Sequence, residues 1–324
     1  MKMQESYRYF LIVAEELNIT HAAKRLFISQ QSLSIHIKKL EEKYGTQLFY
    51  RHPRLTLTPA GEALAASLHQ IQIIENSLDE QIRESGPLIH GSINIGINPN
   101  RASLLFSQII PQFYNKYQNI KIKLIYGKTN DLEPLLITGK LDFFIGISFM
   151  QTNKLVYHIL ANETIYLVIS DYLLKTLHIS EEKTNEFINK GVNLDVFKTI
   201  PFVPNTKSET LRLIFDTLSM GFSNQLIIPF EIDDPLLRAS LCSQNFCATL
   251  FTESMLPYLD QVTRSQDRAN RIYALPVKHN HLFQYRSILA YPQGTYISKY
   301  RQYFMDLVFS YYHSSGAIIT PNEK

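Results

Sequence analysis

The stretch from Thr20 to Gly61 constrains this chain more than any other, because it combines short helices, a tight turn and a basic hairpin. It reads THAAKRLFISQQSLSIHIKKLEEKYGTQLFYRHPRLTLTPAG. Thr20 is a suitable N-cap for one helix, Ser29 for a second helix over 30–44, and Gly45 a suitable end for that helix. This order predicts a winged helix-turn-helix, a motif that places one helix in the major groove of DNA.

The helix predicted over 30–44 has two different faces. Leu33, Ile37 and Leu40 fall on one side and are expected to be buried. The opposite side carries side chains that suit base edges and phosphates, together with one aliphatic residue: Gln31, Ser34, Ile35 and Lys38. The pattern therefore predicts a core face and a nucleic-acid face.

A basic hairpin follows this helix. Two strand-like runs, 48–50 and 55–57, surround the tip at 51–54, which reads RHPR. Such a tip would lie on phosphates or enter the minor groove. The simpler alternative is a small helical subdomain with an exposed loop, but caps, turn lengths and polar face all favour the winged motif.

A long helix is predicted next, with Thr58 as its cap and Pro59 at its first position. It runs to about Glu84, before a Gly-Pro pair. A helix packed only on its own domain is the alternative, but roughly 40 Å of helix is too long for that small domain to cover. Apolar residues at heptad-like spacing predict a dimerisation seam: Leu64, Leu68, Ile71, Leu78 and Ile82.

From Gly91 onward, short β-branched or aromatic runs alternate with helical patterns. This alternation predicts α/β lobes built from βαβ units. The predicted strands are 92–97, 121–127, 141–147, 163–170, 199–204, 225–232, 245–251, 271–277 and 285–291. The predicted helices are 103–117, 131–139 and about 296–312, and the polar stretch 178–194 is interpreted as a loop or insertion.

The N-terminal pattern resembles a known family. The elements F..VAE, AA..L..SQ..LS..I..LE...G..LF.R and LT.AGE stand at the spacing typical of LysR-type transcriptional regulators. The resemblance implies an α/β protein with an N-terminal all-α winged helix-turn-helix, a long linker helix and a two-lobed effector domain like periplasmic solute-binding proteins. The implied bounds are 1–58 for the DNA-binding domain, 59–86 for the linker, 91–312 for the effector domain and 313–324 for a tail, with lobe I at about 91–162 and 270–300 and lobe II at about 163–269.

The resemblance also implies which residues contact DNA, some reading bases and others holding the phosphate backbone. Two of them depart from the family pattern. Gln31 stands where Pro is common, and Ile35 stands where Arg or another polar residue is common; isoleucine cannot donate a hydrogen bond but can pack on a thymine methyl group. The predicted DNA contacts are Thr20, Gln30, Gln31, Ser32, Ser34, Ile35, Lys38, Arg51 and Arg54.

The effector domain offers a second candidate site, because ligands of open α/β sheets bind at the carboxyl ends of the strands. A helix start at this edge favours an anionic ligand group, although each residue alone could be an ordinary helix cap. The resemblance implies a small-molecule co-inducer such as an organic acid, and no cofactor. The predicted effector contacts are Asn98, Asn100, Arg101, Ser103, Thr129, Asn130, Ser148, Asn205 and Thr206.

Composition and charge narrow the classes of protein to which this chain can belong. Residues 1–60 contain nine Lys or Arg against five Asp or Glu, whereas the whole chain has a net charge of only +3, so the basic excess is N-terminal. No apolar run reaches the ~18 residues of a membrane span, and no signal peptide is recognisable. Cys242 and Cys247 are too few for a disulfide framework. Buried hydrophobes are the usual use of such cysteines, although a redox switch is conceivable.

No catalytic motif and no metal-ligand spacing stands out. We therefore predict a cytoplasmic, non-enzymatic regulator that binds double-stranded DNA, itself as a dimer or tetramer, RNA polymerase and a small-molecule effector, but no membrane. The alternative is a cytoplasmic solute-binding or enzyme-like α/β protein with an N-terminal oligomerisation module. The basic tip at 51–54 and the polar helix face favour the regulator, because an oligomerisation module needs neither.

Overall fold

The computed structural model describes residues 4–86, 90–147, 152–207, 210–265, 271–278 and 285–314. The N-terminal domain packs three helices, a two-stranded wing and the start of a long helix around one apolar core. Its elements are α1 (Glu5–Glu16), α2 (Ile19–Leu26), α3 (Gln30–Tyr44), β1 (Phe49–Tyr50), β2 (Thr56–Leu57) and α4 (Pro59–Glu84).

Local capping explains the helix bounds in this domain. The Ser29 Oγ accepts the Ser32 N–H at 3.1 Å and begins α3, and Gly45, with φ of +63°, ends it, as the sequence predicts. The predicted Thr20 cap is wrong. The Asn18 side chain instead accepts the N–H groups of Thr20 and His21, because α2 begins one residue earlier, at Ile19.

The wing is tied to the start of α4 by close backbone contacts. Strand β1 pairs antiparallel with β2, and the Thr58 hydroxyl donates to the Gln47 carbonyl while accepting the Gly61 N–H. A Cβ on Gly61 would lie only 2.1 Å from the Leu48 carbonyl oxygen. Only glycine therefore lets the first turn of α4 approach the wing this closely.

Helix α4 belongs to two cores. Ala65 and Leu68 near its N-terminus are buried in the DNA-binding domain. Farther along, the Ser77 Oγ donates to the Gly294 carbonyl at 3.2 Å, and Glu80 accepts the Tyr300 hydroxyl at 2.5 Å. The helix is thus fixed at one end to the DNA-binding domain and at the other to the effector domain.

One part of the predicted dimerisation seam is wrong. Leu68 is only 2% exposed and Leu64 packs against the same core, so both serve the domain's own interior. The second half of the helix leaves a continuous apolar stripe uncovered within the described chain. This α4 stripe comprises Ile71, Ile74, Leu78 and Ile82, each between 44% and 63% exposed. Ile74 was not among the residues predicted for the seam, although it lies three residues after Ile71 and four before Leu78 on the same helix face.

Lobe I is built on a five-stranded sheet. Its first elements are β3 (Gly91–Ile97), α5 (Pro99–Lys116), β4 (Ile120–Tyr126), α6 (Thr129–Ile137), β5 (Phe143–Ile147) and β6 (Leu155–Asn162). Strand β3 pairs parallel with β4 and β5, so the carboxyl ends of these three strands share one edge.

Lobe II has a three-stranded antiparallel sheet covered by helices. Its elements are β7 (Ile165–Ser170), α7 (Asp171–Thr176), α8 (Glu181–Lys190), a 3₁₀ turn (Leu194–Phe197), α9 (Thr210–Leu218), a 3₁₀ turn (Ser223–Gln225), α10 (Pro235–Ser243), β8 (Thr249–Thr252), a 3₁₀ turn (Glu253–Met255), α11 (Pro257–Ser265) and β9 (Ile272–Pro276). Strand β7 lies between β8 and β9.

The chain then returns to lobe I. Strand β10 (Arg286–Pro292) inserts antiparallel between β5 and β6, and helix α12 (Lys299–Ser314) packs against α5. The predicted return of the chain from lobe II to lobe I at residue 270 is wrong, because β9 pairs with β7 and belongs to lobe II. The α/β class and the two-lobed division are confirmed.

Two further predictions for lobe II are wrong. The stretch 178–194 contains helix α8, which Ser180 caps and in which Phe187 is buried, rather than only a polar loop. The run 225–232 is extended but forms only one isolated bridge, between Ile227 and Pro201. Pro229 cannot donate a ladder hydrogen bond, which opposes a regular strand there.

Candidate nucleic-acid interface and inter-lobe cleft

The two faces predicted for α3 are observed. Leu33, Ile37 and Leu40 are at most 3% exposed. The opposite face borders a concavity of about 970 Å³ between α3 and the wing. Six of the predicted DNA contacts line it: Gln31, Ser34, Ile35, Lys38, Arg51 and Arg54. All of its lining residues are described, and none carries a carboxylate, so the charged side chains that border this largely apolar concavity are all basic.

The other predicted contacts stand at the edge of this concavity. The Gln30 amide donates to the Thr20 hydroxyl at 2.7 Å, which joins the start of α2 to the start of α3. Ser32 lies in the first turn of α3 and is half-buried. Asn18, which sequence reasoning did not select, lines the concavity while capping α2.

The wing presents its basic tip beside α3. The Arg51 guanidinium lies 2.9 Å from a Glu41 carboxylate oxygen, and the other Glu41 oxygen accepts the Leu48 N–H. Glu41 thus orients Arg51 and the base of the wing together. The Arg51 side chain remains 60% exposed and Arg54 is also exposed, so both can reach a phosphate.

Ile35 lies in this concavity and is 48% exposed. We expect it to pack on a thymine methyl group and favour a T-containing step. Replacing Ile35 with Arg should change the preferred base at that step, with discrimination of about 1–3 kcal/mol. Selection from a random duplex pool, performed in parallel on Ile35→Val as a control, measures the preference. An unchanged preference for Ile35→Arg would contradict this role.

The inter-lobe cleft holds a small cavity of about 60 Å³ at the predicted sheet edge. Four of the predicted effector contacts line it: Asn98, Arg101, Thr129 and Asn130. Gly127, Lys128, Thr210 and Tyr285 also contribute to its walls. The cavity faces the first turns of α5 and α6, whose N–H groups favour an anionic ligand group.

Arg101 has a different environment from the one predicted. Its Nη1 lies 3.2 Å from a Glu163 carboxylate oxygen and 2.8 Å from the hydroxyls of Ser287 and Tyr312, in a buried network between the lobes. Burial alone would raise the pKa of the Glu163 carboxyl, but the Arg101 charge and hydrogen bonds from Ser287 and Ser254 hold it below its usual value. Glu163 therefore neutralises the positive charge expected to attract an effector.

The remaining predicted effector contacts lie outside this cavity. Asn100 donates to the Asp233 carbonyl across the lobes, and Ser103 is exposed on α5. Thr206 is held by the Asp233 carboxylate at 2.8 Å, and the Asn205 carbonyl accepts from Arg212. These groups form hydrogen bonds that hold the two lobes and their loops. Ser148 lies outside the described residues.

A larger cavity, of about 480 Å³, lies behind the hinge between the lobes. Glu163, Ser254, Pro257, Tyr311 and Tyr312 are among its lining residues. No local sequence pattern predicts this cavity, because its walls come from four segments far apart in the chain. It adjoins the Arg101–Glu163 network without reaching the inter-lobe cavity.

The two cysteines lie close together in the core of lobe II. The Sγ atoms of Cys242 and Cys247 are 3.8 Å apart, and both residues are 0% exposed. Burial, together with the neighbouring Cys247 thiol, raises the pKa of the Cys242 thiol. Thiolates are the reactive form, so the raised pKa disfavours reaction at Cys242, and burial shields both sulfurs from solvent.

We therefore expect a thiol reagent such as DTNB to label the folded protein at least about a hundredfold more slowly than the urea-unfolded protein, because labelling requires local opening. Labelling kinetics at fixed pH measure the ratio. Rapid labelling of the folded protein, or a peroxide response that a double Cys→Ser variant abolishes, would instead support a redox switch.

The described residues were also compared with the requirements for a metal site and for a membrane-spanning helix. Within the described ranges, no group of three or more His, Cys, Asp or Glu residues is arranged to hold a metal ion. No helix in the described part of the chain is long and apolar enough to cross a membrane.

Comparison with known families identifies both halves of this arrangement. Residues 5–62 match the family of bacterial regulatory helix-turn-helix proteins of the lysR type, and residues 88–188 match the LysR substrate binding domain. The HTH-type transcriptional regulator BudR of Klebsiella aerogenes is 36% identical over 138 residues, which cover 42% of this chain and 96% of BudR. An uncharacterised HTH-type regulator of Bacillus subtilis, YkuM, is 32% identical over 133 residues, 41% of this chain.

The match covers 45% of YkuM and 55% of a second Bacillus subtilis regulator, YoaU, so the chain spans about half the length of these relatives. Solved structures extend the likeness along the chain. A full-length OxyR variant from Pseudomonas aeruginosa superposes with a TM-score of 0.59 at 17% identity, covering 97% of this chain and 95% of that one. Full-length BenM gives 0.51 at 21% identity, covering 99% and 100%. At these identities the likeness establishes the fold.

Proposed function

The chain belongs to the LysR family of helix-turn-helix regulators, and from this premise we propose that it controls transcription by binding promoter DNA in response to a small molecule. The predicted family and fold are confirmed by these matches. The prediction that the chain is not an enzyme is also confirmed, because its relatives are transcriptional regulators. The alternative of a solute-binding or enzyme-like protein has no such support.

One observation supports DNA binding most directly. The polar face of α3 and the basic wing border one carboxylate-free concavity. In a winged helix-turn-helix, α3 would enter the major groove, and Arg51 and Arg54 would contact phosphates beside it. Gln31 and Ser34 supply hydrogen-bonding groups for base edges.

Self-association is part of the proposal. The α4 stripe exposes four large aliphatic side chains on one helix face, and a second copy of α4 would cover them. A dimer would present two copies of α3 to a partly symmetric site. A second exposed apolar surface on lobe II includes Ile227, Phe230, Leu237 and Phe246. Two separate surfaces are what pairing of dimers into a tetramer requires.

The effector in this proposal is a small organic acid in the inter-lobe cavity, and the regulated step is recruitment of RNA polymerase. The starts of α5 and α6, together with Asn98, Thr129 and Asn130, supply donors for a carboxylate. Ligand binding would change lobe closure, and that change would reach the DNA-binding domain through α4.

Salt-dependent duplex binding tests the function. The full chain is first used to select its operator from random duplexes, and fluorescence anisotropy then gives Kd across a salt series. Arg51→Ala and Arg54→Ala should each weaken binding and reduce the log–log salt slope by about one. Lys175→Ala, on α7 of lobe II, is the matched control and should change neither. Failure to select any duplex, or a salt-independent Kd, would refute the DNA-binding function.

A further inference from the structure

Helix α6 extends from the inter-lobe cavity to the DNA-binding domain. Thr129 and Asn130, in its first turn, line the cavity. Lys140, just beyond its C-terminus, lies 3.1 Å from a Glu15 carboxylate oxygen on α1. We propose that α6 is the element that relays occupancy of the cavity to the DNA-binding domain, an inference that rests on the proposed function.

Helix α6 is held on lobe I on both sides of Pro134, the residue within it that cannot donate a backbone hydrogen bond. Leu132 and Leu136 are at most 1% exposed and fix α6 on the sheet of lobe I. Its nine residues span about 13 Å. At the C-terminal end, the N–H groups of Gly139 and Lys140 donate to the carbonyls of Leu136 and Leu135. The turn that carries Lys140 is therefore continuous with the helix, and a shift at one end moves the other.

The far end of α6 meets the middle of α4. Gly139 has φ of +71°, and a Cβ there would lie 2.9 Å from the Ile73 side chain. Ile73 is itself buried and lies between the part of α4 held by the DNA-binding core and the part held by lobe I. Movement of this turn would press on α4 where its attachment passes from one domain to the other.

The Lys140–Glu15 contact is polar and only partly buried. Glu15 also accepts from Arg25 at 2.8 Å, so the pair connects lobe I to both α1 and α2. His69 on α4 lies beside it, among the charges of Glu15, Lys140 and Lys154, and its Nδ1 is buried with no hydrogen-bond partner among the described residues. The Lys140 side chain is 46% exposed and that of Glu15 25%, and ion pairs that solvent reaches contribute little net stability. The contact can therefore separate at low cost, which suits a switched interface.

A cleft-filling substitution replaces the unidentified effector in the test. The chain contains no Trp, so Thr129→Trp both fills the cavity and reports its own burial through a blue-shifted emission. Kd for the selected operator is measured for four backgrounds, each with and without Thr129→Trp: the native chain, Lys140→Met, Lys140→Arg and Lys175→Met. Asn130→Trp serves as the second probe if Thr129→Trp lowers the unfolding temperature.

The relay predicts that Thr129→Trp changes Kd by about fivefold or more in the native chain, within the usual range of allosteric coupling. In Lys140→Met the same substitution should change Kd by less than about twofold, since the contact on α1 is lost. Lys140→Arg keeps the charge and should restore the effect. Lys175→Met removes a comparable lysine–carboxylate pair on α7, and the change in Kd caused by Thr129→Trp should persist in this background.

Two results would overturn the relay. One is an equal change of Kd with and without the Lys140 charge, and the other is no change of Kd for either tryptophan probe in the native chain. Either result, in a protein that still binds its operator with a normal salt slope, rejects the relay and leaves the proposed function intact. Absence of operator binding in the native chain would reject the proposed function itself.

Discussion

Replacing Glu163 with Gln should lower the free energy of unfolding of the effector domain by about 3–5 kcal/mol, the usual cost of leaving one charge of a buried pair without its partner. Arg101 would remain buried between the lobes, and its hydrogen bonds to described side chains would then include only the neutral hydroxyls of Ser254, Ser287 and Tyr312 besides the new amide. Because the folded pKa of Glu163 is below its ordinary value of 4.5, the carboxylate stabilises the native state at neutral pH. That stabilisation should be lost only as pH falls through the folded pKa.

Urea unfolding followed by circular dichroism measures this effect. The double variant Arg101→Met/Glu163→Gln removes both charges and should recover most of the loss, because no buried charge is left without a partner. Glu186→Gln, in an exposed pair with Lys183, is the matched control and should leave the midpoint unchanged. A double variant no more stable than Glu163→Gln alone would mean that the pairing of charges is not what holds this network.

Replacing Gly61 with Ala should destabilise the DNA-binding domain by about 1–3 kcal/mol or more, as overpacking against a fixed group does. Alanine normally stabilises a helix relative to glycine. Here the new Cβ would lie 2.1 Å from the Leu48 carbonyl oxygen and 2.9 Å from the Leu57 side chain. Leu48 also accepts the Thr58 N–H, so its displacement would loosen the wing from α4. Operator affinity should fall together with stability.

Gly221→Ala provides the control for this substitution. A Cβ on Gly221 would have no atom of the described residues within 4 Å, and the backbone there is not in the left-handed region. The Gly221→Ala substitution should therefore leave the free energy of unfolding unchanged or raise it slightly. Thermal unfolding and operator binding are measured for both variants. If Gly61→Ala matches Gly221→Ala in both measurements, the close approach of α4 to the wing does not determine the stability or the operator affinity of the DNA-binding domain.

The elements that sequence predicted well are those fixed by local chemistry. The bounds of α3 follow from the Ser29 cap, three core residues at helical spacing and a left-handed Gly45. The same kind of signal located α4, with its Thr58 cap and Pro59 start. The division of α3 into core and solvent-facing sides follows from helical periodicity alone, which is why the residues on the face proposed to meet DNA could be named.

The errors about the cleft, the lobe boundary and the dimerisation seam concern contacts between distant segments. Glu163 lies 62 residues from Arg101, and no local pattern indicates that it would neutralise that guanidinium. The run 271–277 has a clear strand pattern, but the pattern does not say that its neighbour would be β7 rather than a strand of lobe I. Leu68 fits a heptad seam equally well, and only the packing of α1 to α3 decides that it faces inward.

Because α4 is held by both the DNA-binding domain and lobe I, it limits how the domains of this regulator could be exchanged with those of its relatives. The crossover of a chimera must fall inside one continuous helix, between Leu68, which the DNA-binding core holds, and Ser77, which lobe I holds. Each residue inserted there would rotate the sensor by about 100° about the helix axis and shift it by about 1.5 Å. Seven inserted residues would nearly restore the original azimuth, within about 20°. The length of the segment between Leu68 and Ser77 therefore sets the rotation of the effector domain about the α4 axis, relative to the DNA-binding domain. Domains can be exchanged only between relatives in which this rotation is the same.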